Sequence, residues 1–266
     1  MYKLIDIDNY FEGKLQIAYI NQPESFNSLN KVVLEELLHF IKACDADSSV
    51  RCIAISGKGK AFCSGQNLKE ALDYKTEANE ERFIQRIVID YYNPLVKAIV
   101  YAKKPVIALV NGLAVGAGAM LALICDFAVA SESAYFSLAF SNIGLVPDTA
   151  GTYYLPKLLG RSLASYLAFT GKKLSAKEAL ERGLVADVFS DATFSEQSLQ
   201  VLEHITHQPT VALGLTKKAF NKSYQNSLSE QLDLESILQQ DAAETLDFQE
   251  GISAFLEKRK PQYKGK

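Results

Sequence analysis

Residues 104–131 read "KPVIALVNGLAVGAGAMLALICDFAVAS". This is the chain's nearest approach to a membrane span, but Asn111, the glycines and Asp126 break it before it reaches the ~20 apolar residues a spanning helix needs. It divides into three kinds of element. "PVIALVNG" has the composition of a short buried strand closed by a turn dipeptide. A glycine-rich turn then leads into the helix "AMLALICD", and "FAVAS" returns as a second strand. Strand, tight turn, helix and strand in one stretch predict an α/β fold.

The flanking sequence extends the same alternation. Upstream, "YKLIDID" and "KLQIAYI" alternate as half-buried strands, with Glu12-Gly13 as their hairpin turn. Ser28 opens a helical pattern whose buried face carries Val33, Leu37, Ile41 and Cys44. "VRCIAISG" is a strand ending at Gly57, and "KGKAFCSGQNLKE" is a loop. The charged stretch from Lys69 to Arg82 reads as a solvated helix or loop. "FIQRIVIDYYNPLVKAIVYAKKP" reads as a long helix bent at Pro94. Downstream, "AYFSLAF" is a strand, Ser175 and Glu178 form a capping box, and Gly183 sits where a left-handed helix end is wanted. "LVADVF" is the last strand, and from Phe194 onward the pattern is helical.

The 266 residues are 48% hydrophobic and 22% charged, which allows one large core with a helical appendage. A net charge of −3 gives no electrostatic footprint for nucleic acid. Cys44, Cys52, Cys63 and Cys125 form no CxxC pair and lie in apolar stretches, as buried free thiols of a reducing compartment do. The opening "MYKLIDIDNYFEGK" is charged and alternating, unlike a secretory signal. These features predict a soluble, cytoplasmic protein that engages neither nucleic acid nor membrane.

Two glycine-rich loops follow strands: "FCSGQN" at 62–67 and "NGLAVGAGAM" at 111–120. Neither fits GxGxxG, and neither carries the lysine and hydroxyl of a phosphate loop. Small residues let a ligand approach the backbone. If the amides of Gln66 and Ala117 point into one space, they can share an oxygen as an oxyanion hole, with Ala117 at the positive end of a helix. The other reading of both loops is tight turns and close helix packing. Asp148, in "NIGLVPDTAGTYYLP", is a lone acid among apolar and small residues. It is either a general base or the N-cap of a helix beginning near Thr149. His204 and His207 lie one helical turn apart with no acidic third ligand, His39 sits in an amphipathic helix, and no metal site is expected. The tail from Lys258 to Lys266 reads as a solvated basic segment.

"AFCSGQNL", the 104–131 stretch, "IGLVPDTAGTYYLPKLLG", "TGKKLSAKEALERGLV" and "ISAFLEKRKPQYKGK" together resemble, in order and spacing, the crotonase (enoyl-CoA hydratase/isomerase) superfamily. The resemblance implies a spiral of ββα repeats over 1–195. It also implies a helical region over 196–266 that covers the site and builds a homotrimer or a hexamer. It implies acyl-CoA thioester substrates, with coenzyme A entering as part of the substrate and no further cofactor. Gln66 and Ala117 then stand where the family's backbone amides hold the thioester oxygen. Phe26, Ser28, Ser64, Gly65, Asn67 and Leu68 fall at substrate or CoA positions, as do Met120 and Phe140. Phe255 and Lys258 match C-terminal positions that close on CoA, often from a neighbouring subunit.

The departures shape the expected reaction. Where hydratases of the family carry two glutamates, this chain has Met120 and Phe140, neither of which can hold water or exchange a proton. Asp148 falls where some members place an acid opposite the thioester. Some of those are dehalogenases that also rely on a tryptophan, which this chain lacks. The combination "FCSGQNL", "YYNPLV", "GLVPDTAGTYYLP" and "SAFLEKRKPQYKGK" is most similar to the branch that isomerises ring epoxides of phenylacetyl-CoA to an oxepin, whose relatives shift double bonds in enoyl-CoA. The resemblance thus implies an isomerase with Asp148 as proton shuttle, its pKa raised by apolar surroundings. A hydratase with a non-standard site, and a silent acyl-CoA-binding subunit, remain the alternatives. Tyr91 and Tyr92 either wall an aromatic-sized pocket or pack in the core.

Overall fold

The computed structural model describes residues 2–78 and 81–266. Met1, in the opening stretch, and residues 79 and 80, in the charged stretch at 69–82, lie outside the described residues. The N-terminal alternation forms β1 (Ile5–Tyr10) and β2 (Leu15–Ile20), an antiparallel pair joined through a 3-10 turn at Phe11–Gly13. α1 (Lys31–Ala46) starts later than the Ser28 expected from sequence. Asn30 caps it by accepting the Val33 amide at 2.9 Å, while the Ser28 hydroxyl bonds to Ser25 instead.

β3 (Cys52–Gly57) is followed by β4 (Ala61–Cys63), a strand within what the sequence reads as loop, then α2 (Leu68–Ala78). Three residues are too few to show a period, which is why β4 is silent in the sequence. α3 (Phe83–Ile87) runs through a π-helical turn at Val88–Tyr92 into α4 (Asn93–Tyr101). The bend expected at Pro94 takes this form: the proline has no N–H for an α-helical bond, and the ladder widens just before it.

β5 (Val106–Val110) leads to β6 (Leu113–Val115), again a short strand inside an expected turn, and then to α5 (Ala117–Leu123). β7 (Phe127–Ser131) and β8 (Tyr135–Ser137) precede α6 (Gly151–Thr170), which is kinked at Gly160. β9 (Leu174–Ser175), α7 (Ala176–Glu181) with its Ser175–Glu178 capping box, and β10 (Asp187–Phe189) complete the mixed part. α8 (Phe194–Thr206), α9 (Thr210–Ser223), α10 (Leu228–Ala243) and α11 (Leu246–Leu256) follow.

The strands sort into two sheets, ordered β1-β2-β3-β5-β7-β10 and β4-β6-β8-β9. β3, β5 and β7 enter the larger sheet and their successors β4, β6 and β8 enter the smaller one, each pair followed by a helix. That is the ββα spiral. β3 and β5 are buried on both faces, so they read as continuous apolar runs. Ile53, Ile55, Val106 and Ala108 face the main core, whereas Cys52, Ala54, Ile107 and Leu109 face α8 through Phe194 and Leu202. The expected division at 195/196 therefore falls inside a helix that packs beneath the sheet.

The C-terminal helices are tied to the core by buried polar contacts. Lys217 on α9 donates to Ile99 O (2.8 Å) and to Asp126 Oδ2 (2.9 Å). Arg51 donates to Thr210 Oγ1 (2.6 Å) and to Tyr263 O (2.9 Å). The tail read as solvated is pinned at its end, because Asp247 accepts the amides of Lys264 (2.6 Å) and Gly265 (2.7 Å).

Candidate active site

The glycine-rich loops meet at the tops of the small-sheet strands. Gly65 lies just past β4 with φ +88°, and a Cβ there would come within 2.7 Å of Val115 O and 3.4 Å of the Ala117 nitrogen. At Gly118, a Cβ would press to 2.3 Å from Cys63 O. Close packing and the absence of side chains are thus one device: they bring β4 and the start of α5 together. The tight-packing reading of these glycines holds at Gly65 and Gly118.

Between the loops opens a cavity of about 330 Å³. Gln66 and Ala117 both line it. Leu29 N donates to Gly65 O (2.7 Å) and Asn67 N to Leu29 O (2.8 Å), so the peptides flanking Gln66 are engaged on the side of α1. The amides of Gln66 and Ala117 have no hydrogen-bond partner among the described residues. The Ala117 amide also belongs to the first turn of α5, where N–H groups have no intrahelical acceptor.

Asp148 lines the same cavity and, among its described lining residues, is the one carboxylate. It does not cap α6. That helix begins at Gly151 after Ala150, with no side-chain cap, and the Asp148 carboxylate accepts instead from Thr149 Oγ1 at 2.9 Å. Thr149 and Ala150 both hold positive φ, +50° and +60°, a strained pair for residues with side chains. Burial pushes the Asp148 pKa above the usual carboxylate range; the bonds from Thr149 and from its own amide oppose that rise.

Ser64, Gly65, Leu68 and Phe140 also line the cavity, as the sequence reading places them. Met120 does not. It is fully buried behind the wall, where Gly151 packs on its side chain. Asn67 is the cap of α2, accepting the Glu70 amide at 3.2 Å. Ser28 is buried outside the cavity, and Phe26 is exposed on the neighbouring loop, which Ser64 ties down by donating to Ser25 O (3.0 Å). Phe255 and Lys258 are exposed and do not line the cavity of their own chain. The cavity lining comes from residues 64–148, so α8–α11 of the same chain do not cover it among the described residues.

Ile84, Ile87, Val88, Asn142, Ile143 and Leu145 join the lining unforeseen. For the first three the signal was present in the apolar spacing of "FIQRIV", but nothing there distinguishes a pocket face from a core face. Tyr92 is both pocket wall and core: it is 2% exposed, lines the cavity, and donates from its hydroxyl to Gln66 Oε1 at 2.6 Å. A larger groove of about 850 Å³ between α4 and α9, with Lys97, Tyr153 and Lys218 in its walls, holds none of the expected site residues. No described helix is long and apolar enough to cross a membrane.

A family model described as enoyl-CoA hydratase/isomerase matches residues 12–266. The 1,2-epoxyphenylacetyl-CoA isomerase of Escherichia coli K12 is 42% identical over 97% of this chain and 98% of its own. A probable enoyl-CoA hydratase of Rhodobacter capsulatus is 38% identical over 95% of each. The crystal structure of an enoyl-CoA hydratase from Bacillus anthracis superposes with a TM-score of 0.91 at 32% identity, over 99% of this chain and all of that one (100%).

Proposed function

The chain belongs to the enoyl-CoA hydratase/isomerase family, and on that premise we propose that it is an acyl-CoA isomerase working through a thioester enolate. Its substrate is 1,2-epoxyphenylacetyl-CoA, a 3-enoyl-CoA, or both. The observation that carries this reading is the cavity itself, in which one carboxylate of raised pKa shares an apolar space with two unpartnered amides.

In this mechanism Asp148 takes a proton from the carbon next to the thioester carbonyl. The C–H electrons move onto the carbonyl oxygen, where the amides of Gln66 and Ala117 stabilise the charge. Each such donor contributes about 3–4 kcal/mol in the transition state. For a 3-enoyl thioester, Asp148 returns the proton two carbons further on and the double bond moves into conjugation. For the ring epoxide, the C–C bond between the two epoxide carbons breaks as the ring π electrons shift, so that the oxygen bridges those carbons in the seven-membered oxepin. Asp148 carries the proton from the carbon next to the carbonyl to the ring carbon two further on. Each product is an isomer of its substrate. The scheme therefore calls on no cofactor beyond the coenzyme A that the substrate carries.

Phe140, Leu68, Ile84 and Ile87 keep the enolate in a low-dielectric space, which strengthens the amide contacts and keeps Asp148 basic. The hydratase names among the relatives favour a second reading, water addition. The cavity offers no second carboxylate to hold that water among its described residues. Exposed Leu228, Leu232, Leu246, Ile252, Phe255 and Leu256 on α10 and α11 support a further part of the proposal, a homotrimer or a pair of trimers. Light scattering in solution checks it.

The test is Asp148→Asn, assayed with 3-enoyl-CoA and with 1,2-epoxyphenylacetyl-CoA. Turnover should fall by about a hundred- to ten-thousandfold; near-normal rates remove Asp148 from the mechanism. Wild-type protein given crotonyl-CoA should yield no rapid hydroxyacyl product, and fast hydration would establish the second reading instead.

A further inference from the structure

Gln66 is held from two directions. On the α1 side, its flanking peptides bond to Leu29 (2.7 and 2.8 Å). On the other, its side-chain oxygen accepts from Tyr92 Oη at 2.6 Å while its Nε2 donates to Asn67 O at 3.1 Å. A side chain fixed at both ends of its amide leaves the backbone little freedom to rotate.

Tyr92 is the last residue of the π turn, in a helical stretch where Ile84, Ile87 and Val88 also face the cavity. A π turn interrupts α geometry and is frequent at functional sites. Here it sets the ring between the cavity and the first glycine loop. Burial, and secondarily the charge of Asp148, hold the phenol well above its usual pKa, so the hydroxyl stays a donor.

Resting on the enolate reading above, we propose that Tyr92 is a positioning residue: its hydroxyl clamps the Gln66 side chain so that the Gln66 backbone amide stays aimed at the thioester oxygen. Tyr92 exchanges no proton with the substrate. It acts through Gln66, whose side chain matters only as the handle.

The experiment makes Tyr92→Phe, Gln66→Leu and the double variant, and reads two quantities. The first is kcat and KM for a 3-enoyl-CoA. The second is the absorbance shift of bound benzoyl-CoA, a conjugated thioester with no proton to move, which reports polarisation of its carbonyl. Tyr92→Phe should lower kcat about tenfold or more with KM within about twofold, because a slightly misaimed donor fails in the transition state more than in binding. The benzoyl-CoA shift should shrink in parallel. The double variant should be no worse than the poorer single one, since both break one clamp.

An unchanged absorbance shift in Tyr92→Phe, or losses that multiply in the double variant, overturns the proposal. Gln66→Leu approaches the clamp from the acceptor side, so a poorly folded Tyr92→Phe does not leave the claim unexamined. Asp148→Asn separates this claim from the one beneath it. That variant should keep the full shift while losing turnover; a Asp148→Asn enzyme that still turns over sinks the base assignment and leaves the clamp standing on its spectrum.

Discussion

Asp126 and Asp148 are the same side chain in opposite surroundings. Asp126, between α5 and β7, accepts from the Val106 amide (2.7 Å) and from Lys217 Nζ (2.9 Å), and that lysine also donates to Ile99 O. Asp148 has one side-chain donor, Thr149, and no ion-pair partner among the described residues. Burial raises the proton affinity of both, but Lys217 works against it at Asp126. A carboxylate surrounded by donors and a cation is a fixed charge that ties the C-terminal helices to the core. A carboxylate in an apolar cavity with only neutral, local donors can give and take a proton.

The widest separation between the two should appear in turnover. Asp148→Asn is expected to remove two or more orders of magnitude, the worth of a positioned base. Asp126→Asn, corrected for folded protein, should stay within about fivefold of wild type, the scale of one ordinary hydrogen bond. Equal losses would erase the distinction.

Stability should separate them in the other direction. Lys217→Met leaves Asp126 with an unpaired charge and should cost about 1–3 kcal/mol, read by denaturant unfolding at pH 7; the lower end allows for the partial exposure of the pair. Asp148→Asn should instead stabilise. A raised folded pKa means that the native state holds a proton which the unfolded chain has already released, so stability declines as pH climbs from the ordinary aspartate range through the raised folded value. Asparagine abolishes that decline. The variant should melt higher than wild type at pH 7, and the gap should close as pH falls back toward the ordinary aspartate range. A lower melting point at pH 7 would mean that the carboxylate is structural.

The same contrast explains what the sequence could disclose. Strand alternation, the Ser175–Glu178 box and the two strands that flank the glycine-rich turn at 104–131 each state a local period or cap, and each formed as read. β4 and β6 carry three residues apiece and gained their pairing only from neighbours brought together by the spiral. Gln66, Ala117 and Asp148 were placed through family motifs, and the structure puts them on one cavity. Met120 misled because a motif position says which residue replaces a glutamate, not where a longer, apolar side chain will turn. The Tyr92–Gln66 bond joins a π turn to a loop, and no spacing rule links those two positions.

Thr149 offers the finest adjustment of the contrast, since it supplies the one side-chain donor that still favours the charged form of Asp148. Thr149→Val keeps the β-branched shape at φ +50° and removes only the hydroxyl. Without that donor the carboxylate binds its proton more tightly, so the acid limb of the kcat/KM profile should move to higher pH. The plateau above it should stay within about fivefold of wild type, the value of a single hydrogen bond near 1 kcal/mol. Thr149→Ser, which restores the hydroxyl without the methyl, should return the limb toward its original position. A limb that stays fixed in Thr149→Val, while Asp148→Asn abolishes turnover, would show that the acid's surroundings alone set its basicity and that Thr149 serves only the turn.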